Sequence, residues 1–409
     1  MLRYTNHTNT CKRTKNNSKK LKAMLVNCDG LHWSKRKADF HARVNDLAPD
    51  LIFGCESKLS PDMPTYSIFP DNYNIIRKDR DSNGGGVFIA TKENIISVEN
   101  PEYDSDCEIT WCTIEFARSG KLRLGSFYRT PNGGTEPLEK LQDSVNKVLS
   151  KSGTKHENIL LCGDFNLPDI DWDALCTKPD SKRKALHNTA LELLGELPLI
   201  QLVTVVTRQA SQNCLDLIFT NNQNIVSNIQ THSGISDHDI VTCDINVSPK
   251  WKRKPIRKIY QYNKADVSSL KCSLQKETET FFANQPEQNS VDSNWTIFKD
   301  IVNSHMERFI PHKMSKSKQS YPWINQFITQ QMRKRDRLYR KYKSADSSSR
   351  TKLWKAYKKQ RNHVTSLLRD SQNSYMNNVV GPSLDTNPKQ FWTYVKSLKG
   401  NPWAFPACS

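Results

Sequence analysis

The order of strand-like and helix-like segments between residues 23 and 249 constrains the fold more than any other feature of this sequence. Short apolar runs of strand length alternate with stretches in which apolar residues recur at helical spacing. Strands outnumber helices, and some follow one another directly, as 111–116 and 122–128 do on either side of a Ser-Gly turn. The pattern therefore predicts sheets with helices on their outer faces rather than a purely parallel, doubly wound sheet.

Charge divides the chain into three parts. Residues 1–22 carry seven Lys/Arg and no acid, and residues 250–409 carry 31 Lys/Arg against 11 Asp/Glu, a net charge of +20. Residues 23–249 carry 22 Lys/Arg against 31 Asp/Glu, a net charge of −9. Basic extensions attract polyanions, most often nucleic acids. A solvated helical surface is the alternative that charge alone leaves open.

These shifts in composition set the expected domain bounds. We predict a basic disordered tail over 1–22, a folded body over 23–249, a basic linker with short helices over 250–321, and a basic helical extension over 322–409. No apolar run reaches the length of about 18 residues that a membrane span needs, and the polar N-terminus has no signal-peptide core. The 11 cysteines form no CxxC pair, which is typical of reduced, intracellular thiols.

Carboxylates and amides follow several of the predicted strands, where a sheet would present them at one edge. They are Asn27, Asp29, Glu56, Asp164, Asn166, Asp237 and His238. Any one such residue is more often a turn residue or a helix cap. The functional interpretation therefore depends on the whole set and its order.

The set resembles the endonuclease/exonuclease/phosphatase superfamily, and within it the apurinic-type endonuclease of non-LTR retrotransposons. The resemblance covers about residues 23–249, and its motifs are Asn27-Cys-Asp29-Gly30-Leu31, Cys55-Glu56-Ser57, Phe127-Tyr128-Arg129-Thr130-Pro131, Gly163-Asp164-Phe165-Asn166, Leu215-Asp216-Leu217-Ile218 and Ser236-Asp237-His238. Thr207-Arg208 ahead of Leu215-Asp216 is typical of the retrotransposon branch. The resemblance implies a four-layered α/β sandwich, with two mixed sheets flanked by helices, followed by the basic helical extension.

The resemblance also implies a magnesium site, with Mn²⁺ as the alternative ion. Glu56 would be the direct ligand, and Asp29 and Asp237 would be second ligands or would hold metal-bound water. Mg²⁺ prefers hard oxygen ligands, and it typically uses one or two carboxylates while keeping several waters. The metal would act as a Lewis acid on the phosphoryl oxygen and the leaving group.

The remaining implied roles belong to hydrogen-bonding groups. Asp164 would be the general base for the attacking water, which Asn166 would orient together with the phosphate. His238 would donate to a non-bridging oxygen while Asp216 holds its other nitrogen. The other implied roles are a phosphate hydrogen bond from Tyr128 and orientation of Asp164 by Asn27. Arg129 and Arg208 stand beside the proposed site in sequence and are expected to contact DNA phosphates. Arg80 would contact DNA or belong to a solvated loop.

Residues 322–402 resemble the segment that joins endonuclease to reverse transcriptase in such elements. No Tyr/Phe-Ala-Asp-Asp motif is present in the chain, so we expect no polymerase activity and interpret the sequence as truncated before the polymerase. The basic extension is expected to bind DNA or RNA through its Lys and Arg side chains.

The sequence thus predicts a Mg²⁺-dependent DNA endonuclease that nicks one strand, leaves a 3′-hydroxyl and works in the nucleus, with the cytoplasm as the alternative. Two other functions stay open. A phosphatase or phospholipase of the same fold, acting on inositol phosphates or sphingomyelin, would share the Asp/Asn/His set. A catalytically silent descendant of a retrotransposon endonuclease, which binds nucleic acid without cutting it, would have the same basic charge.

Overall fold

The computed structural model describes residues 20–382 and 388, without 82, 118–119, 152–156, 252–257, 285–288, 315–320 and 322. The predicted disordered tail lies outside these residues except at its end, where Leu21 and Lys22 already belong to the first strand. The chain divides into two compact units. The larger comprises Met1–Lys252 and Ser320–Ser409, and the smaller comprises Arg253–Gln319.

Two six-stranded sheets form the centre of the larger unit. The first consists of β1 (Leu21–Asn27), β2 (Leu51–Cys55), β3 (Tyr73–Lys78), β4 (Val87–Lys92), β13 (Val226–His232) and β14 (Ile240–Ile245). The second consists of β5 (Ser97–Glu99), β6 (Glu108–Glu115), β7 (Lys121–Tyr128), β8 (Glu157–Asp164), β11 (Ile200–Gln201) and β12 (Asp216–Thr220). A small ribbon pairs β9 (Ile170–Asp171) with β10 (Cys176–Thr177).

Both sheets are mixed, as predicted. The strand orders are β13-β14-β1-β2-β4-β3 and β11-β12-β8-β7-β6-β5. In the first sheet β1 and β2 are parallel, and in the second β7 and β8 are parallel, while their other neighbours run antiparallel. The two parallel pairs occupy the centres of their sheets, so their carboxyl ends define one edge of the molecule at which the polar strand-end residues gather.

Helices cover the outer faces of the sheets: α1 (Ser34–Leu47) lies over the first sheet, and α3 (Glu136–Ser150) and α4 (Lys184–Gly195) lie over the second. The other helices are α2 (Thr65–Ile68), α5 (Val267–Ala283), α6 (Val291–Phe309), α7 (Gln326–Lys343) and α8 (Ser347–Tyr375). One apolar core lies between the two sheets, a second lies under α3 and α4, and a third lies under α1. Helix, sheet, sheet and helix thus form four layers, which confirms the predicted sandwich.

Helices α7 and α8 pack against α1 within the same compact unit. Their apolar side chains Ile328, Met332, Val364 and Leu368 contact Ala38 and Ala42 of α1. All residues from 38 to 44 in α1 are buried, because the sheet covers one side of this helix and α7–α8 cover the other. The described part of the predicted extension 322–409 is therefore a further layer of the folded body.

The smaller unit holds α5, α6 and a two-stranded ribbon of β15 (Lys258–Tyr260) and β16 (His312–Met314). The two helices are 17 and 19 residues long, longer than the short helices predicted for 250–321. Each begins at a side-chain cap: Asp266 accepts from the backbone N–H of Ser269, and Ser290 accepts from that of Ser293. No helix among the described residues is both long and apolar enough to cross a membrane.

Candidate active site

The predicted site residues meet where the parallel strand pairs end. β1 ends at Asn27, and Glu56 directly follows the neighbouring strand β2. β7 ends at Tyr128, which is in register with Asp164 at the end of β8. Asp216 begins β12 opposite Asp164. Side chains from both sheets are thus brought to one edge, as the strand-end pattern predicted.

Three of the predicted residues adopt a left-handed backbone conformation within two residues of a strand end. The φ angles are 44° at Asp29, 50° at Glu56 and 48° at Asn166. Side chains other than glycine rarely adopt this region, and each such residue costs on the order of 1–3 kcal/mol. Backbone hydrogen bonds hold these conformations. For example, the Gly30 N–H donates to the Glu56 carbonyl at 2.9 Å. Strain of this kind clusters at functional sites.

Asn27 connects the two sheets at this edge. Its Nδ2 donates to Glu56 Oε1 at 3.1 Å and to Asp164 Oδ2 at 3.0 Å. This is the contact that the predicted orienting role of Asn27 requires. Asp164 is fully buried, and the loss of solvation raises its pKa to about 7. A carboxyl that titrates near neutral pH suits a general base.

His238 is held by two carboxylates. Its Nδ1 lies 2.8 Å from Asp216 Oδ2 and 3.8 Å from Asp164 Oδ2. Burial alone would favour the neutral imidazole, but the carboxylates of Asp216 and Asp164 outweigh it and raise the pKa of His238 to about 10. His238 is therefore an imidazolium at neutral pH. Because its Nδ1–H faces Asp216, its Nε2–H is the donor that remains for a substrate.

Asp164, Asp216 and His238 also lie close enough together to hold a metal ion, with ligand atoms within 4.8 Å of one another. In this structure two of these groups are already engaged in hydrogen bonds, since Nδ1 of His238 donates to Asp216 and Asp164 accepts from Asn27. We therefore assign the three groups to hydrogen bonding.

A cleft of about 350 Å³ opens beside this cluster. Its lining residues are Asn27, Asp29, Arg36, Glu56, Pro131, Asn166, Arg208, Asp237 and His238. The three predicted metal ligands, Glu56, Asp29 and Asp237, all contribute to this lining. Carboxylate oxygens that converge on a polar cleft fit a divalent cation such as Mg²⁺.

The cleft carboxylates are balanced by cations. Asp29 binds Lys58 Nζ at 2.7 Å and Arg36 Nη2 at 2.5 Å, and Asp237 binds Arg208 Nη2 at 2.6 Å. Burial opposes ionisation of Asp29, but the Lys58 hydrogen bond and the nearby Arg36 charge outweigh it and lower the Asp29 pKa. Glu56 is less tightly paired, since Lys58 Nζ lies 3.5 Å from its Oε2. Of the three carboxylates, Glu56 therefore needs the smallest rearrangement to bind a metal.

Tyr128, predicted to hydrogen-bond the phosphate, is bound to Glu56 in this structure. Its hydroxyl donates to Glu56 Oε1 at 3.1 Å, and its side chain is buried. Burial and the Glu56 carboxylate together raise the pKa of Tyr128, so the phenol stays protonated and remains a donor. The structure thus assigns Tyr128 to holding Glu56.

The three arginines predicted to contact DNA occupy different environments. Arg208 lines the cleft and is partly exposed. Arg80 pairs with Glu108 at 2.7 Å and is not among the residues lining the cleft. Arg129 is 1% exposed and donates to the carbonyls of Gly133, Gly134 and Asn166. In this structure Arg129 holds the loop after β7, and a contact with DNA would require it to leave these carbonyls.

Arg36 and Lys58 were missed by the sequence reasoning. Arg36 lies in the first turn of α1, and Lys58 stands two residues after Glu56. The available signal was their nearness in sequence to the acidic residues that they neutralise.

Asn166 lines the cleft as predicted, with its Nδ2 donating to the Arg129 carbonyl at 2.7 Å.

Comparison with known families supports the resemblance that the motifs predicted. Residues 122–242 match the sequence profile described as "Endonuclease-reverse transcriptase". This match confirms the predicted resemblance to retrotransposon endonucleases. Residues 324–389 match the profile described as "Female sterile protein K10 C-terminal domain". A comparison with curated protein sequences finds no match.

Solved structures similar to this chain include two endonucleases and one catalytic domain. The endonuclease domain of TRAS1, a telomere-specific non-LTR retrotransposon, is 18% identical, with 56% of this chain and 99% of that chain covered and a TM-score of 0.44. The AP endonuclease LMAP from Leishmania major is 12% identical, with 58% and 88% covered and a TM-score of 0.44. The Xenopus laevis APE2 catalytic domain is 16% identical, with 57% and 94% covered and a TM-score of 0.43.

Proposed function

We propose that this chain, whose residues 122–242 match the endonuclease–reverse transcriptase family, is a Mg²⁺-dependent endonuclease that nicks one strand of DNA and leaves a 3′-hydroxyl. The observation that carries the proposal is the hydrogen-bonded series Glu56–Asn27–Asp164 beside the His238–Asp216 pair. Asn27, Glu56 and His238 line one cleft, and the buried Asp164 is bound to Asn27. This arrangement supports a proton acceptor, a cationic donor and a metal-binding carboxylate at one site.

Each group has a distinct part in phosphodiester hydrolysis. Asp164 accepts the proton of the attacking water, and Asn27 keeps its carboxylate oriented. The imidazolium of His238 donates from Nε2 to a non-bridging phosphate oxygen and stabilises the charge that develops there. Glu56, supported by Asp29 and Asp237, would hold the divalent cation, which when bound supplies Lewis-acid stabilisation of the phosphate and leaving group. Arg208 binds a phosphate at the rim.

Helices α7 and α8 supply the surface for the nucleic acid backbone. Each carries seven Lys/Arg against a single Asp. Their exposed basic residues are Arg333, Lys334, Arg337, Arg340 and Lys341 on α7, and Lys352, Lys355, Lys358, Lys359 and Arg369 on α8. Because the α7 residues recur at helical spacing, they form one basic face. We propose that these faces bind duplex DNA by neutralising phosphates, in the nucleus, and RNA binding is the alternative that competition would reveal.

The test is a plasmid-nicking assay with Mg²⁺, with and without EDTA. The wild-type chain should convert supercoiled plasmid to the open-circular form, and EDTA should stop it. Asp164→Asn should slow nicking by about 10²–10⁴-fold, the usual contribution of a general base. Asp143→Asn, which makes the same charge change at an exposed site on α3, is the matched control. Nicking that persists in EDTA, or at the wild-type rate in Asp164→Asn, would refute this mechanism. Cleavage of an inositol phosphate or sphingomyelin but not of DNA would identify the phosphatase or phospholipase alternative.

A further inference from the structure

Two loops carry the side chains on one wall of the cleft. Residues 205–213 hold Arg208, and residues 233–239 hold Asp237 and His238; we call them the loop pair. The loops are joined by a β-bridge between Arg208 and His238 and by the Asp239 N–H, which donates to the Thr207 carbonyl at 2.6 Å. A shift of either loop would therefore move the other.

Helix α7 binds the loop pair through residues adjacent to those that line the cleft. The Tyr339 hydroxyl donates to Asp239 Oδ2, next to His238. The Tyr342 hydroxyl donates to Gln209 Oε1 at 3.3 Å, next to Arg208. Gln209 Nε2 in turn donates to Asp239 Oδ2 at 2.5 Å, which joins the two contacts into one network.

This network is shielded from solvent. Tyr339, Tyr342, Gln209 and Asp239 are all 5% exposed or less. Water cannot replace a hydrogen bond that is broken there, so removal of one hydroxyl leaves its buried acceptor with one donor fewer. Such networks hold their members in one arrangement more strictly than exposed contacts do.

Helix α7 is itself fixed to the body of the domain. The guanidinium of Arg43 in α1, which is 1% exposed, binds Asp336 Oδ1 of α7 at 3.1 Å and the Ser233 carbonyl at 2.6 Å. Ser233 begins the second loop of the pair. Lys343, at the end of α7, donates to the Val206 carbonyl at 3.1 Å in the first loop. The helix thus connects a rigid layer to both loops.

We propose that α7 is a positioning element of the active site, in which Tyr339 sets His238 through Asp239 and Tyr342 sets Arg208 through Gln209. The proposal rests on the proposed endonuclease function and adds to it that residues 326–343 belong to the catalytic unit. Because the loops are joined, each tyrosine affects both, but Tyr339 acts most strongly on His238 and kcat, and Tyr342 most strongly on Arg208 and KM.

The test compares phenylalanine variants of the full chain, with kcat and KM measured on supercoiled plasmid. Tyr339→Phe should lower kcat by about 10- to 100-fold with KM nearly unchanged, which is the size of effect that slight misplacement of a catalytic group produces. Tyr342→Phe should mainly raise KM. Tyr73→Phe is the control, because it removes a buried hydroxyl that binds the Pro49 carbonyl far from the loop pair in sequence. It should match Tyr339→Phe in loss of thermal stability and keep wild-type kinetics.

The outcomes separate this inference from the proposed function. A wild-type chain that cuts no DNA would overturn both. A wild-type chain that cuts, together with a folded Tyr339→Phe variant whose kcat equals that of Tyr73→Phe, would overturn the positioning role alone. If Tyr339→Phe fails to fold, Tyr342→Phe tests the proposal instead, because Tyr342 loses a longer and therefore weaker hydrogen bond. An unchanged KM in that variant would refute the proposal.

Discussion

At the residue scale, the His238–Asp216 pair allows the roles of two neighbouring groups to be separated. Asp216 is 1% exposed and reaches the cleft through His238, whose Nδ1 it binds at 2.8 Å. We therefore expect His238→Ala to slow nicking at least as much as Asp216→Asn, because the asparagine still orients the ring while the alanine removes it. Rates under single-turnover conditions measure this. A far larger loss in Asp216→Asn, with folding intact, would indicate that Asp216 binds metal directly.

Arg129 and Arg208 give the second residue-scale prediction. Burial lowers the pKa of Arg129 to about 10, and its guanidinium donates to carbonyls of the loop after β7. Arg129→Ala should therefore reduce the free energy of unfolding by roughly 2–4 kcal/mol, since it leaves several carbonyls unpaired. Arg208→Ala should leave stability within about 0.5 kcal/mol of wild type and weaken DNA binding. Urea unfolding and filter binding distinguish the two. Equal stability of both variants would contradict the structural role of Arg129.

Many residues of the candidate site could be predicted from the sequence, because they belong to short motifs next to strand termini. Asn27, Glu56, Asp164, Asp216 and His238 meet at one edge of the sheets. β1, β2 and β8 end there, and the antiparallel strands β12 and β14 begin there. A motif does not reveal which way a side chain points, however. Arg129 follows Tyr128 in such a motif, yet its side chain is buried against loop carbonyls. Exposure depends on packing that local sequence does not encode.

At the scale of elements, the docking of α7 makes stability depend on pH through Asp336. Burial would raise the pKa of Asp336, but Arg43 and Arg335 outweigh it and lower the pKa to about 2. A carboxyl with a depressed folded-state pKa stabilises the protein above its unfolded pKa of about 3.9 and loses that contribution as pH falls toward the folded value. The contribution is on the order of 2 kcal/mol, and about half of it should be gone at pH 3.

The measurement is the free energy of unfolding of wild type and Asp336→Asn between pH 6 and pH 3. The two curves should converge as pH falls below 4. Protonation of Asp336 in the wild type then removes the stabilising ionic contact that Asp336→Asn already lacks. Asp143→Asn, at an exposed position, should instead remain parallel to wild type. A constant gap between wild type and Asp336→Asn across this range would show that the ion pair with Arg43 does not stabilise the docked helix.

Element types could be predicted better than element partners. The sequence predicted a helical extension over 322–409, where α7 and α8 occur, and both helices bury one apolar face. It could not show that this face packs on α1, since the complementary surface there consists of two alanines, Ala38 and Ala42. Small residues leave little hydrophobic signal in a sequence but let a helix approach closely. The high basic charge of 322–409 suggested a surface for nucleic acid and gave no sign of the packing on α1.

At the scale of the whole molecule, charge and folding divide the chain at different places. Charge separates an acidic 23–249 from a basic 250–409. Packing instead joins residues from 320 onward to the acidic body and leaves 253–319 as a unit of its own. The basic helices α7 and α8 are thus part of the layer that supports the cleft. Removal of these helices should consequently weaken DNA affinity and the support of the catalytic loops together.

The last prediction compares the full chain with one ending at residue 249 and one ending at residue 382. The shorter chain lacks the apolar packing of α7 and α8 on Ala38 and Ala42, the partner of Arg43, and the hydrogen bonds to Asp239 and Gln209. We expect its melting temperature to fall by at least about 5 °C and its kcat by at least about tenfold. Its binding should also depend less on salt, since each DNA phosphate that is no longer neutralised flattens the slope of log K against log salt by about 0.9.

The chain ending at 382 keeps both helices and should match the full chain in stability, kcat and salt slope. If the chain ending at 249 kept wild-type stability and kcat while its salt slope flattened, the helices would supply affinity alone, and the cleft would be complete without them.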